Sequence, residues 1–115
     1  MSQRTKKLKF SAKARKEIYE RDGRSCLFCR IRYHLPRPHE AGYETHIFET
    51  MHIVSRAHGG LGIPQNGLIG CKYHHRMLDS GPKETREEMQ GIIETYMKQK
   101  YTGWDRKGLE YEKWE

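Results

Sequence analysis

The sequence predicts a small α+β domain in which helices flank a pair of short strands. Three observations support this: helical periodicity near both ends, strand-like alternation in the middle, and two closely spaced pairs of cysteine and histidine residues. A chain of 115 residues is long enough for one domain. Only 35% of the residues are hydrophobic and the mean hydropathy is −1.00, so the core should be small and need further support.

The beginning of the chain is strongly basic and contains one predicted helix. Residues 1–10 form a basic arm rich in lysine and arginine. Ser11 is a suitable N-cap, good helix formers follow it, and Gly23 is placed to end the helix. We therefore expect a helix over Ala12–Arg21, whose basic face either contacts phosphates or is simply solvated.

The middle of the chain contains two predicted strands separated by a glycine-rich loop. Residues 30–43 have no clear period and are interpreted as an irregular loop. Alternation over Glu44–Ile53 predicts a strand. Residues 55–65 contain several glycines that let the backbone turn sharply, and Gly67–Gly70 is the predicted returning strand. A helix is expected to begin at Cys71.

The C-terminal third changes to a strongly helical composition. Apolar residues recur at helical spacing over 83–100, so we predict one helix there that packs its apolar stripe on the rest of the domain. The final segment, 101–115, contains Trp104 and Trp114 and is too aromatic for a purely disordered tail. It is expected to fold back onto the core, with docking of a partner protein as the alternative.

The charge balance indicates an anionic partner. The chain has 22 Lys and Arg against 15 Asp and Glu, which gives a net charge of +7 and a pI near 9.4. This balance favours polyanions such as nucleic acid over neutral substrates. No apolar run is long enough for a signal peptide or a membrane span, so we expect a soluble, cytoplasmic protein without a membrane partner.

The three cysteines predict a structural metal site. Three is an odd number for a disulfide framework, whereas Cys26 and Cys29 have the spacing of a zinc-binding pair. The second pair is Cys71 and His74, with the histidine in the place that a fourth cysteine usually takes. A Cys3His zinc site would supply the cross-link that the small core lacks. The spacing favours His74 over His75 as the ligand.

Three polar residues in the same region carry a resemblance to a known family. They are His52 within MHIVSRAHGG, Asn66 within PQNGLIGC, and His75 after CKYH. These segments resemble the HNH endonucleases, a ββα-metal family, and the resemblance covers about residues 21–81. The later segment KQKYTGWDRKGLEYEKW resembles the C-terminal region of HNH proteins that tailed phages encode beside their packaging genes. The resemblance implies a ββα-metal core with flanking N- and C-terminal helices.

The resemblance also implies a role for each of these residues. His52 would be the general base that takes a proton from water, a role that suits a side chain with an ordinary pKa near 6.5. Asn66 would be structural and would hydrogen-bond the backbone of the glycine-rich loop. His75 and Asp79 are four residues apart, so they project from one face of the predicted helix and can bind one divalent cation together.

One position departs from the family pattern. Many members have an Asp or His as a metal ligand immediately before the base, whereas this chain has Met51. A thioether is a poor ligand for Mg²⁺. The cation would then be held by His75, Asp79, phosphate and water, or Glu49 would reach it from the strand, or catalysis is lost. The ligand set leaves Mg²⁺, Mn²⁺, Ni²⁺ and Zn²⁺ open as the catalytic ion.

Three further residues are candidates for binding the nucleic-acid backbone. Arg56 and His58 follow the predicted base, and Arg76 follows His75. A guanidinium can pair bidentately with phosphate oxygens, which makes Arg56 the best of the three. His58 is equally well explained as a loop histidine with local hydrogen bonds.

Together these features predict an arm at 1–10, a zinc-containing HNH nuclease core at 11–81, and a helix and aromatic tail at 82–115. The expected activity is metal-dependent cleavage or nicking of DNA with low sequence specificity. The resemblance suggests a phage terminase or another packaging protein as partner, and the chain is expected to be a monomer or weak dimer. The alternatives are a zinc-stabilised DNA-binding or adaptor module whose nuclease site has decayed, and a protein that acts on RNA.

Overall fold

The computed structural model describes residues 3–37 and 42–111 and shows a small α+β fold around a two-stranded antiparallel sheet. The helices and strands are α1 Gln3–Leu8, α2 Ala12–Arg21, α3 Leu27–Arg30, β1 Phe48–His52, β2 Gly67–Cys71, α4 Lys72–Ser80 and α5 Lys83–Lys100. Short 3-10 turns lie at Gly42–His46, Arg56–His58, Pro64–Asn66 and Arg106–Leu109. In the part of the chain described, no helix is both long and apolar enough to cross a membrane.

The sheet is shorter than the sequence predicts. β1 pairs with β2 from Phe48 opposite Cys71 to His52 opposite Gly67. The prediction of a strand over Glu44–Ile53 is wrong in its first half, because Gly42–His46 forms a 3-10 turn instead. The reason is the partner strand: β2 ends where α4 begins, so the ladder stops at the hydrogen bond from the Lys72 amide to the Ile47 carbonyl, at 2.8 Å.

The two faces of the sheet pack on different helices. One face meets α2 and Phe10, which lies two residues before that helix, in a small cluster of buried side chains: Phe10, Ala14, Ile18 and Ile69. The other face belongs to the larger core, which includes Met51 of β1 and the stripe Met89, Ile93 and Met97 of α5. Helix α5 therefore supplies much of the apolar surface that so polar a chain can bury.

Helices α2 and α5 begin and end where the sequence predicts. Ser11 caps α2 as expected, since its hydroxyl oxygen accepts a hydrogen bond from the Ala14 amide at 3.0 Å. Asp22, at the end of the same helix, is buried and accepts a hydrogen bond from the Ile69 amide at 2.8 Å. This bond attaches α2 to the outer edge of β2 and satisfies a backbone donor there.

Segments from both ends of the chain close over the glycine-rich loop. At the N-terminal end, α1 was not predicted; its Leu8 is buried, and the Gly62 amide donates to the Lys7 carbonyl at 2.8 Å. At the C-terminal end, Trp104 is buried and its indole N–H donates to the Gln65 carbonyl at 2.8 Å. The segment after α5 thus packs on the core as expected, although Trp114 lies outside the described residues.

Candidate functional site: a metal-ligand cluster and an adjacent histidine cleft

The first part of the site is a cluster of four metal-ligand side chains. Cys26 and Cys71 are the N-cap residues of α3 and α4, and each helix returns a second ligand, Cys29 and His74, to the same point. The four ligand atoms lie within 4.8 Å of one another, and three of the residues are buried. Sequence spacing predicted this set, and the structure shows that it could hold a structural metal such as zinc.

The spacing of the ligand atoms fits a tetrahedral ion. Zinc binds sulfur at about 2.3 Å and imidazole nitrogen at about 2.0–2.1 Å, so a tetrahedron implies S···S distances of about 3.8 Å and S···N distances of about 3.6 Å. The sulfurs of Cys29 and Cys71 are 3.7 Å apart. Nδ1 of His74 lies 3.7 Å from the Cys26 sulfur, 3.6 Å from that of Cys29 and 3.2 Å from that of Cys71.

The orientation of His74 explains why it belongs to the cluster. Its Nε2 is 2.5 Å from the Tyr33 carbonyl oxygen, which can only accept a hydrogen bond. Nε2 therefore carries the proton, and Nδ1 is left to face the three sulfurs. A second partner that fixes the tautomer in this way is typical of metal-bound histidine.

The three thiols of the cluster differ in pKa, with that of Cys26 lowered and those of Cys29 and Cys71 raised. A hydrogen bond from Cys71 lowers the pKa of Cys26 to about 3, and that same bond, together with burial, raises the pKa of Cys71. Burial and the negative charge of Cys26 raise the pKa of Cys29 to about 11. Metal ligation requires thiolates, so binding of a divalent ion would release the remaining thiol protons.

The second part of the site is His52, which the fold holds in one tautomer. Its Nε2 lies 2.7 Å from the Leu8 carbonyl oxygen, so Nε2 is the protonated nitrogen and Nδ1 is the acceptor of the neutral ring. The ring also packs on Phe10, with centroids 4.2 Å apart. Burial lowers the pKa of His52 below its ordinary value, and Arg56 and His75 lower it further, while the hydrogen bond to the Leu8 carbonyl opposes this shift only in part. The ring is therefore neutral at neutral pH.

Asn66 holds the loop that follows His52. It is buried, and its amide oxygen accepts a hydrogen bond from the Val54 amide at 2.8 Å. Its amide nitrogen donates to the carbonyls of Val54 at 3.1 Å and Leu61 at 2.8 Å. Gly60 allows this arrangement, because a Cβ there would lie 1.7 Å from the Val54 oxygen. The asparagine thus makes backbone hydrogen bonds across the glycine-rich loop, of the kind expected from the sequence.

His75 lies between two carboxylates. Its Nδ1 is 3.2 Å from Glu49 Oε1 on β1, and its Nε2 is 3.4 Å from Asp79 Oδ2, one turn further along α4. His75 and Asp79 therefore lie on one face of α4, as the four-residue spacing predicts, and Glu49 reaches the same imidazole. Both ring nitrogens face a carboxylate, so a cation bound here would have to replace one of these contacts.

Met51 has a structural reason for its place before His52. Its side chain is buried in the larger core and lies against Gly70 of the paired strand. Successive residues of a strand point to opposite faces, so Met51 points away from the face that carries His52. Within residues 3–37 and 42–111, the Cys3His cluster is the only set of three or more His, Cys, Asp or Glu side chains whose ligand atoms converge.

A cleft of about 480 Å³ connects His52 with residues that the sequence did not indicate. His52, His58 and Asp79 line it together with Arg86 of α5 and Arg106. Two nitrogens of Arg106 donate to Gln90, to the side-chain and the backbone oxygen, each at 2.7 Å, which fixes the guanidinium in the cleft. Sequence reasoning missed both arginines because they lie in the C-terminal third of the chain, far from the histidines in sequence.

The three predicted phosphate-binding residues have different surroundings. Arg56 is exposed and close enough to His52 to affect its pKa. His58 Nδ1 is 2.7 Å from the Ser55 hydroxyl, which is the local hydrogen bond anticipated as the alternative to a binding role. Arg76 forms an ion pair with the buried Glu44 and so fastens the 3-10 turn before β1 to α4. Of the three, only His58 lines the cleft with His52, and only Arg56 has a side chain without a hydrogen bond or ion pair to the described residues.

Comparisons with protein-family models, with curated proteins and with solved structures found no match for this chain.

Proposed function

We propose that the chain is a metal-dependent endonuclease of the HNH type, which hydrolyses or nicks DNA with low sequence specificity. The observation that carries the proposal is the state of His52: a neutral imidazole with one nitrogen fixed as donor, lining a cleft shared with Asp79 and two arginines. A histidine in this state can accept a proton at neutral pH. The resemblance of the surrounding sequence to HNH endonucleases also supports the proposal.

Each residue then has a defined task. His52 accepts a proton from the attacking water at Nδ1 while Nε2 keeps its bond to the Leu8 carbonyl. Asn66 keeps the loop after His52 in place, and Arg56 holds a phosphate oxygen. His75 and Asp79 would hold the catalytic divalent ion together with phosphate and water, and Glu49 would become a ligand only if it left the opposite ring nitrogen of His75. Such an ion would supply charge stabilisation at the phosphate and at the leaving oxygen.

The Cys3His cluster serves the same function indirectly. It joins α3 to α4, the helix that carries His75 and Asp79. We propose that zinc occupies this cluster and has a structural role, since all four positions are filled by protein ligands and none is open for substrate.

Plasmid cleavage tests the proposal. Purified protein that keeps its tightly bound metal should convert supercoiled plasmid to nicked or linear DNA when Mg²⁺, Mn²⁺, Ni²⁺ or Zn²⁺ is added, and should leave it unchanged without added metal. Parallel reactions with single-stranded DNA and RNA identify the nucleic acid that is cut. If RNA alone is cut, the assignment to DNA is wrong.

A second candidate function is a zinc-stabilised DNA-binding or adaptor module without catalysis. The observation that favours it is the position of Met51 in the core, which removes the ligand that many HNH enzymes have there. DNA binding without cleavage by any of the four metals would support this function. Retention of His52 beside His75 and Asp79 favours the enzyme, because an adaptor has no chemical need for them.

The resemblance to phage HNH proteins suggests a terminase as the partner. This part of the proposal rests on analogy alone. A pull-down with the large terminase subunit that recovers none of the chain would remove its support.

A further inference from the structure

A second groove lies on the opposite side of β1 from the main core, between that strand and α2. It has a volume of about 390 Å³, and its lining includes two aromatic side chains, Tyr19 from α2 and Phe48 from β1. Both are unusually exposed for aromatic residues, at 38% for Tyr19 and 44% for Phe48. Neither belongs to the two clusters of buried core residues, so core packing does not explain them.

The groove combines these rings with positive charge. Arg15 and Lys16 line it from α2, and both are exposed. The Arg24 guanidinium lies 5.9 Å from the centre of the Tyr19 ring, which adds another cation beside it. Exposed aromatic rings next to lysine and arginine are the two components with which proteins bind unpaired nucleotides: bases stack on the rings, and the cations contact the phosphates.

The groove is also connected to the proposed catalytic residues. Glu49 lines it, and the same carboxylate reaches His75 of α4. Phe48 begins the strand that ends at His52. A nucleotide held against Phe48 would therefore lie beside the strand that carries the proposed general base.

We propose that this groove binds an unpaired base of DNA, with Phe48 and Tyr19 as stacking surfaces and Arg15 and Lys16 as phosphate contacts. The chain then prefers single-stranded or locally melted DNA over perfect duplex. This inference rests on the proposed function, because it assumes a nucleic-acid substrate. It adds that the bound part of the substrate is unpaired.

Equilibrium binding tests this inference without cleavage. The probe is a fluorescein-labelled oligodeoxythymidylate of twelve nucleotides, and its binding is measured by fluorescence anisotropy with no divalent cation added. A labelled hairpin duplex of the same charge is the comparison. The wild type should bind the single strand more tightly than the duplex. Phe48→Ala should weaken single-strand binding about 5- to 100-fold and leave duplex binding nearly unchanged.

Tyr43→Ala is the matched control, because Tyr43 is an exposed aromatic residue that does not line the groove. It should bind both probes like the wild type, and melting curves of both variants should match that of the wild type. If Phe48→Ala binds the single strand normally, the inference is wrong, even if plasmid cleavage succeeds. If Phe48-dependent binding is found but no metal supports cleavage, the groove assignment stands and the proposed catalysis fails.

Two further results would also overturn the inference. If the wild type binds an oligouridylate more tightly than the DNA probe, and Phe48→Ala loses that binding, the occupant of the groove is RNA. Sedimentation velocity that shows a dimer in the wild type and a monomer in Phe48→Ala, with oligonucleotide binding unchanged, would make the groove an interface between two copies of the chain.

Discussion

At the scale of single residues, His52 shows how distant parts of the chain set the chemistry of one side chain. The residues that fix its ring, Leu8 and Phe10, precede it by more than forty positions. The first determines which nitrogen carries the proton, and burial against the second disfavours the charged imidazolium. The sequence resemblance singles out His52 as a candidate, but the tautomer of its ring and the direction of its pKa shift become visible only in the folded chain.

The lowered pKa of His52 predicts the pH dependence of cleavage. The ordinary value is 6.5, and burial together with nearby positive charge lowers it in the folded protein. A base acts in its neutral form, so the rate should fall as the pH is lowered, with a midpoint below pH 6.5. Single-turnover rates between pH 5 and 8 measure this. Arg56→Ala removes one nearby charge and should move the midpoint upward; a wild-type midpoint above 6.5 would contradict the assignment.

Asn66→Ala should destabilise the protein markedly. The change removes three hydrogen bonds and leaves the Val54 amide and two carbonyls without these partners. A buried polar group left unsatisfied costs about 1–3 kcal/mol, so the free energy of unfolding should fall by at least about 2 kcal/mol. Urea unfolding of Asn66→Ala and Gln65→Ala gives the comparison. Equal stability of the two variants would show that the loop does not depend on the asparagine.

At the scale of elements, the metal-ligand cluster connects pieces that are too short to be stable alone. Helix α3 has four residues, and the sheet consists of two strands of five residues each. Isolated helices of this length and isolated two-stranded hairpins are marginal in water. A metal held by ligands from α3 and α4 would therefore stabilise the region that presents His75 and Asp79.

Two adjacent histidines give a matched test of the cluster. His74→Ala removes a ligand, whereas His75→Ala changes the next residue of α4 and leaves all four ligands in place. His74→Ala should lose most of its bound zinc, measured by elemental analysis. Its melting temperature should also fall by at least about 10 °C, because an ion at a thousandfold excess over its Kd stabilises the folded chain by about 4 kcal/mol. His75→Ala should keep its zinc.

Cys71→Ser should behave like His74→Ala in the same measurements, because it removes another ligand. An unchanged melting temperature in both variants, or loss of zinc from His75→Ala instead, would show that the cluster is not the zinc site.

A helix or strand could be predicted from the sequence where residues close to its ends determine where it begins and ends. Helices α2 and α5 were predicted at their observed bounds, because a cap or a steady apolar stripe marks each of them in the sequence. The start of β1 was not predicted, because it depends on where β2 ends. Helix α1 was not predicted either, because Leu8 is buried by contacts from elsewhere in the chain. For the same reason the ligand cluster was predicted by spacing, whereas Arg86 and Arg106 were found only in the folded structure.

At the scale of the whole molecule, the charge of +7 predicts DNA binding that depends strongly on salt. With about four phosphate contacts, the affinity should fall roughly 150-fold between 50 and 200 mM salt. Arg56→Ala should reduce the slope of log affinity against log salt by about 0.9. Lys98→Ala is the control, because Lys98 pairs with Glu94 on α5 and should leave the slope unchanged. A slope near zero for the wild type would argue against a phosphate-binding surface.

If the chain cuts DNA with His52 as its base, wild type and His52→Ala should differ sharply in plasmid cleavage. Each protein is incubated with Mg²⁺, Mn²⁺, Ni²⁺, Zn²⁺ or no added metal, and nicked and linear products are measured. His46→Ala is the control, because His46 is exposed and has no proposed role.

We expect metal-dependent cleavage by the wild type and by His46→Ala. His52→Ala should keep its fold and zinc content and cut at a rate at least about 100-fold lower. Cleavage by His52→Ala at the wild-type rate would contradict the assignment of the base. No cleavage by the wild type with any metal, alongside intact DNA binding, would contradict the enzyme itself and favour the adaptor.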